Sequence, residues 1–257
     1  IKEVGLPAAT VQLIYRTSHA DGERLVADPR VGATSYTGSR SAGLTLKAAA
    51  DRAGKPIYLE LSSVNPVVIM PGALSERGEQ IVDEFLTSVL MGTGQFCTNP
   101  GLVLLLNGEA SDKFIEAVKE RFSTGAAGTL LSPAVATSLS KSIETLCQFG
   151  AELLTGGGEP EAARCAIANT LLKVSAKEFL ANPEGFQSEA FGNASLMVVA
   201  DDLDQLCESI SELEGNLTGC SYSANDGSED TASITVSDEL APKVGRLLND
   251  KMPTGVA

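Results

Sequence analysis

The sequence predicts an α/β fold built on a parallel sheet, and three observations carry that expectation. Strand and helix signals alternate along the chain, opening with a β-α-β-α-β order that calls for right-handed crossovers. Glycine is plentiful (25 of 257 residues) and tryptophan absent, which suits many tight turns between short elements. The 43% hydrophobic and 20% charged fractions are ordinary for a globular chain, long enough for one large domain or two smaller ones.

Taken in order, Val11-Gln12-Leu13-Ile14-Tyr15 reads as a strand and 21–27 as a short helix stopped by Asp28-Pro29. Val31-Gly32-Ala33-Thr34-Ser35-Tyr36 alternates and is β-branched, so it reads as a second strand. A turn at 37–41 leads into an Ala- and Leu-rich helix over 42–52, and Ile57-Tyr58-Leu59-Glu60 is the third strand. Val67-Val68-Ile69-Met70 is a short buried strand. The spacing of Ile81, Val82, Phe85, Leu86 and Val89 predicts a helix over 76–90. Strands follow at 102–106, 152–155, 166–172, 196–200 and 217–223. Helices are expected at 111–122 (capped by Ser111 or Asp112), 133–149, 203–213 and 238–248, with Gly156-Gly157-Gly158 as a turn.

The net charge of −14 repels phosphate backbones and anionic lipids, which argues against nucleic-acid and membrane-surface partners. No apolar run is long enough to span a bilayer and no secretory leader is visible. Five widely spaced cysteines without a CxxC, and a single histidine, speak against a structural zinc site and a disulfide framework. A reducing, cytoplasmic compartment is expected, with Cys147, Cys165, Cys207 and Cys220 as small core or surface residues.

Four stretches could carry chemistry. Gly38 and Ser39 lie between a strand and a helix start, where backbone N–H groups and the helix dipole suit a phosphate. The spacing is not GxGxxG, and on these residues alone an ordinary helix cap is the plainer reading. Cys97 sits between Gly94 and Gly101 in a turn that Pro100 keeps from becoming helix. A loop thiol can be a nucleophile if something activates it, and an inert buried cysteine is the plain alternative. Glu60 ends a strand, where ligands of open sheets gather, so it is either a general base or a solvated strand-end carboxylate. Glu189 and Phe191 could grip a ribose and pack on a ring, or simply occupy a turn. His19 reads as a solvated loop residue, and 201–204 as a solvated helix N-terminus.

Together, and in this order, the four stretches resemble an aldehyde dehydrogenase. Tyr36-Thr37-Gly38-Ser39 is similar to the family's FTGS turn, and Leu59-Glu60-Leu61-Ser62-Ser63-Val64-Asn65-Pro66 to its ELGGKNP-type motif. Gly94-Gln95-Phe96-Cys97 resembles GQxC, and Glu189-Ala190-Phe191-Gly192 resembles ExFGP. Ser62 and Ser63 stand where the family usually has glycines, and Asn193 where it has proline. The Ser-Val-Asn-Pro and Gly-Gln-Phe-Cys-Thr-Asn-Pro-Gly runs look most like the ketoglutarate semialdehyde (2,5-dioxopentanoate) branch, close to NADP-dependent fatty aldehyde dehydrogenases.

The resemblance implies an α/β, aldehyde dehydrogenase-like architecture: a parallel-sheet remainder of the cofactor domain (1–59), an α/β catalytic domain (60–237) and a return segment toward the cofactor domain (238–257). It implies Cys97 as nucleophile and Glu60 as base. Gly38, Ser39, Glu189 and Phe191 would serve NADP or NAD, with a small aldehyde as substrate and a homo-oligomer at full length. Family members are about twice as long, the chain starts at Ile1, and 253–256 resembles a segment shortly before the family's tail. A fragment without activity of its own is therefore expected. A CoA-acylating dehydrogenase, a thiol hydrolase and a non-catalytic binding or assembly scaffold are the rival readings.

Overall fold

In the computed structural model, which describes residues 1–161 and 163–255, the chain divides into two compact units, one spanning Ile1–Ser62 and the other beginning at Ser63. Val256, in the 253–256 run, lies outside the described residues.

The first unit holds α1 (His19–Ala27), β1 (Thr34–Thr37), α2 (Arg40–Arg52) and β2 (Ile57–Glu60). β1 and β2 pair in parallel from Thr34 opposite Ile57 to Thr37 opposite Glu60. Val26, Ala49 and Ala50 form a small core with Leu46 and Ile57. The buried residues of α2 are all small: Gly43, Ala49 and Ala50. The strand expected at 11–15 is absent: Val11, Leu13, Ile14 and Tyr15 are exposed, and no described strand lies beside them. Without a ladder partner, β-branched and aromatic composition does not make a strand. His19 is also not a loop residue; it opens α1 behind Ser18, whose hydroxyl accepts the Asp21 N–H.

The second unit is three-layered. Its elements are β3 (Val67–Ile69), α3 (Pro71–Leu90), β4 (Leu102–Leu106), α4 (Glu109–Thr124), α5 (Pro133–Gln148), β5 (Glu152–Glu161), β6 (Ala166–Ser175), α6 (Ala176–Ala181), α7 (Pro183–Phe186), β7 (Ala194–Ala200), α8 (Leu203–Ser211), β8 (Asn216–Tyr222), α9 (Asp230–Leu240) and β9 (Val244–Asn249). Among the described residues they build a seven-stranded sheet in the order β5-β6-β7-β4-β3-β8-β9, parallel except for the β5–β6 pair. Alternate residues of each central strand enter opposite cores, as the two-residue period demands. Val67, Ile69, Val103, Leu105 and Met197 meet α3 and α4; Val68, Leu102, Leu104, Leu196 and Val198 meet α5, α6, α8 and α9. Burial on both faces is why β4 reads Leu-Val-Leu-Leu-Leu without alternation.

Three other expectations are corrected. Gly156, Gly157 and Gly158 are not a turn but lie inside β5, at positive φ, where bulges shift the register against β6. The 238–248 segment is the end of α9 followed by β9, which pairs with β8 in parallel; its Leu and Val spacing fits both periods. Helix α4 is not capped by Ser111 or Asp112: it starts after Gly108, and the Ser111 hydroxyl donates to the Leu106 carbonyl at 2.6 Å. No helix among the described residues is long and apolar enough to cross a membrane.

Candidate active site

The Cys97 loop is made by the end of α3. Gly92, Thr93 and Gly94 are all left-handed, with φ of 55°, 61° and 69°, and they swing the chain out of the helix. A threonine in that region is a strained backbone held by its surroundings. The Asn99 N–H then donates to the Phe96 carbonyl at 3.1 Å, closing a turn with Cys97 exposed on it. Gly94 admits no side chain, since a Cβ there would stand 2.1 Å from the Gly192 carbonyl oxygen. The Asn99 amide donates to the same carbonyl at 3.3 Å. Thus the Gly94–Gly101 run and the Glu189–Gly192 run are packed backbone to backbone. Gln95 fastens a third segment: its Oε1 accepts the Leu131 N–H at 2.7 Å, and its Nε2 donates to Gly92 O and Thr129 O.

Glu189 and Phe191 precede β7. The Glu189 carboxylate accepts the Ser63 N–H at 3.4 Å, and Phe191 is partly exposed. Both line one small cavity with Ser63, Gly94, Asn99 and Phe186. Asn193 donates its amide to the Ile167 carbonyl (2.9 Å) and Asn169 Oδ1 (2.8 Å).

Beneath the loop lies a polar cluster that the sequence reading missed. Asn65 is fully buried at φ 45°. Its Nδ2 donates to the carbonyls of Cys97 and Asn99, each at 2.9 Å. Its Oδ1 accepts from the Ser63 hydroxyl (2.9 Å), the Thr218 hydroxyl (3.0 Å) and the Thr218 N–H (3.3 Å). Asn216 Oδ1 in turn accepts the N–H groups of Val64 (2.8 Å) and Asn65 (3.1 Å). In the sequence Asn65 stands only as one residue of the 59–66 run, with no role assigned to it.

In the first unit Gly38, Ser39 and Glu60 sit together at the carboxyl ends of β1 and β2. The Gly38 N–H donates to the Glu60 carbonyl at 3.1 Å, and its Cβ would strike the Tyr36 hydroxyl. Ser39 is the residue before α2, yet its side chain makes no capping bond. The first-turn N–H groups of this 13-residue helix thus receive no acceptor from the Ser39 side chain. Glu60 is half-buried.

Three of the other thiols are raised by burial. Burial pushes Cys220 well above its ordinary range, helped by Asp250 and Glu84. Burial raises Cys147 too, with Glu144 nearby, and Cys207, with Glu239 and Asp204 nearby.

Residues 1–233 match the aldehyde dehydrogenase family. The α-ketoglutaric semialdehyde dehydrogenase 2 of Azospirillum brasilense is 36% identical over 258 residues, covering 100% of this chain and 49% of its own. The α-ketoglutaric semialdehyde dehydrogenase of Acinetobacter baylyi is 32% identical, covering 98% of this chain and 48% of its own. The chain therefore spans about half the length of the curated relatives it matches. Among solved structures, betaine aldehyde dehydrogenase from Staphylococcus aureus in complex with NAD+ superposes with a TM-score of 0.81 at 21% identity, over 97% of this chain and 50% of that one. Succinic semialdehyde dehydrogenase from Streptococcus pyogenes in complex with NADP+ gives 0.78 at 20%, over 99% and 55%. These two likenesses establish the fold.

Proposed function

The chain belongs to the aldehyde dehydrogenase family, and on that premise we propose that the whole protein oxidises an aldehyde to a carboxylate with NADP or NAD as acceptor. A semialdehyde such as 2,5-dioxopentanoate is the substrate the similarity to the two α-ketoglutaric semialdehyde dehydrogenases favours. The observation that carries the reading is Cys97, exposed on a turn whose backbone is fastened from several sides. Burial, by contrast, raises the thiols of Cys147, Cys207 and Cys220.

The Cys97 thiolate attacks the carbonyl carbon, and the electron pair of the C=O bond moves to oxygen. The Cys97 N–H is the donor this chain offers to that oxyanion, worth roughly 3 kcal/mol in such sites. When bound, the nicotinamide supplies the acceptor for the hydride that turns the adduct into a thioester on Cys97. Glu60 takes a proton from water, the water oxygen attacks the thioester carbon, and the C–S bond breaks to return the thiolate. The α2 N-terminus beside Gly38 and Ser39 would hold the pyrophosphate. Glu189 would accept from ribose hydroxyls in place of the Ser63 N–H, and Phe191 would pack beside the ring. In this reading 1–59 is the last part of the cofactor domain, 60–237 the catalytic domain and 238–257 the return segment, in a homo-oligomer.

The test is reduction of NADP+ and NAD+ by the whole protein across an aldehyde panel that includes 2,5-dioxopentanoate, with and without CoA. Turnover without CoA and a free carboxylate product are expected, with a loss of roughly 10⁴-fold or more in Cys97→Ala. Undiminished turnover in that variant would sink the assignment, and a strict need for CoA would favour acyl transfer over hydrolysis.

A further inference from the structure

We propose that Asn65 is the positioning residue for Cys97, its side-chain amide tying the thiol-bearing turn to the edge of the sheet. The proposal rests on the reading of Cys97 as nucleophile.

The orientation of the Asn65 amide follows from its neighbours. One end faces carbonyl oxygens, of Cys97 and Asn99 at 2.9 Å and of Ser63 at 3.5 Å, and so must be the NH₂. The other faces the Thr218 N–H and two hydroxyls, and so must be the oxygen. Both amide hydrogens are therefore spent on the two carbonyls that flank Thr98. This fixes the central peptide plane of the turn closed between Phe96 and Asn99, and the peptide plane that leaves it. The bonds are sheltered, because Asn65 is fully buried and Asn99 is 7% exposed.

Asn65 is itself pinned. Its φ of 45° suits asparagine better than any larger residue, and its own N–H is held by Asn216 Oδ1. The Ser63 hydroxyl accepts the Leu217 N–H at 3.1 Å and faces both Asn65 Oδ1 and Asn216 Oδ1. A chain of hydrogen bonds thus runs from β8 through Asn216, Ser63 and Asn65 to the Cys97 carbonyl. A rigid shell of this kind keeps a reacting atom within the few tenths of an ångström that catalysis tolerates. Asn65 holds the carbonyl of Cys97, so it acts through Cys97.

The experiment measures kcat and KM of the whole protein beside the rate at which iodoacetamide alkylates Cys97, read by peptide mass. Alkylation needs the thiolate but no oxyanion donor, whereas aldehyde oxidation needs both aligned. Asn65→Gly tolerates the left-handed backbone and deletes the clamp. It is expected to lower kcat by about 100-fold, with KM and the alkylation rate changed by less than about threefold in the folded fraction. A kcat within about threefold of wild type overturns the proposal, as does a parallel loss of alkylation, which would mean a displaced or unfolded loop. Should Asn65→Gly not fold, Thr218→Val decides: it removes one hydroxyl bond to Asn65 Oδ1 in a near-isosteric core, and kcat should fall by about 3- to 10-fold. An unchanged kcat there overturns the proposal equally. If Cys97→Ala keeps its turnover, the nucleophile reading itself fails. If Cys97→Ala is dead and the Asn65 and Thr218 variants are not impaired, only the positioning role fails.

Discussion

The two units present their candidate chemistry at opposite ends of parallel strands. In the first, Gly38, Ser39 and Glu60 follow or end β1 and β2, at the carboxyl edge. In the second, Asn65, the Cys97 turn, Gly192 with Asn193, and Asn216 precede or open β3, β4, β7 and β8, at the amino edge. Open α/β sheets usually gather ligands at the carboxyl edge, where the first unit carries its candidate residues and the second does not. At a carboxyl edge the following helix offers a row of backbone N–H donors, so little side-chain apparatus is needed. At an amino edge the first strand N–H groups and the entering loops have no such partner. Buried amides and hydroxyls must complete them, as Asn216 does for Val64 and Asn65, and Ser195 for the Pro100 carbonyl. The second region is therefore built from side chains locked to one another, and the first from backbone and space.

The largest test of that contrast is a pair of glycine substitutions. Gly94→Ala and Gly54→Ala both place alanine at positive φ, 69° and 66°. Gly54 has nothing within 4 Å of a new Cβ, so only the left-handed strain applies, about 1 kcal/mol. At Gly94 the Cβ would meet backbone of Gly192 at 2.1 Å, so about 3 kcal/mol or more is expected from denaturant unfolding. Equal costs would mean the two loops are not packed as described.

A smaller effect is electrostatic. The Cys220 thiol is pushed above its ordinary 9.0 mainly by burial. The unfolded chain therefore releases this proton at lower pH than the folded one. Its contribution to stability is whole below about pH 9 and falls as pH rises, by up to about 1.4 kcal/mol per unit. Cys220→Ala should flatten the alkaline slope of stability between about pH 9 and 10, and an unchanged slope would contradict it. Asp28 in the first unit has the opposite sign. Its bonds with Arg30 hold the carboxyl low, so its contribution is present above the ordinary aspartate range and lost on acidification.

The smallest expected effect is at Ser39. An N-cap serine normally contributes about 1 kcal/mol, but this one makes no capping bond. Ser39→Ala should thus change stability by less than about 0.5 kcal/mol, whereas Ser175→Ala, which breaks a capping box at α6, should cost about 1 kcal/mol. Equal losses in thermal unfolding would show Ser39 to be an ordinary cap.

What could be read from the sequence divides along the same line. Elements whose own residues decide them were legible, such as β4 with its unbroken apolar run and α5 with Ser132 and Pro133 at its start. Elements decided by a distant partner were not. Residues 11–15 have strand composition and no ladder partner among the described strands, while β5 keeps three glycines in a strand because β6 lies beside them. The site follows suit. Gly38, Glu60, Cys97, Glu189 and Phe191 stand in short contiguous runs with a recognisable resemblance. Ser63 and Asn65 stand in the quoted 59–66 run, but their bonds to Asn216 and Thr218 cross some 150 positions, and no local pattern announces those.

The most direct measurement of the central claim mixes Glu60→Gln whole protein with NADP+ or NAD+ and a semialdehyde, then weighs the peptides after quenching. A burst of about one turnover per site and an acyl group on the Cys97 peptide are predicted, because attack proceeds and hydrolysis is slowed. Steady turnover at the wild-type rate, or an acyl group on any other residue, would contradict Cys97 as nucleophile with Glu60 as its base.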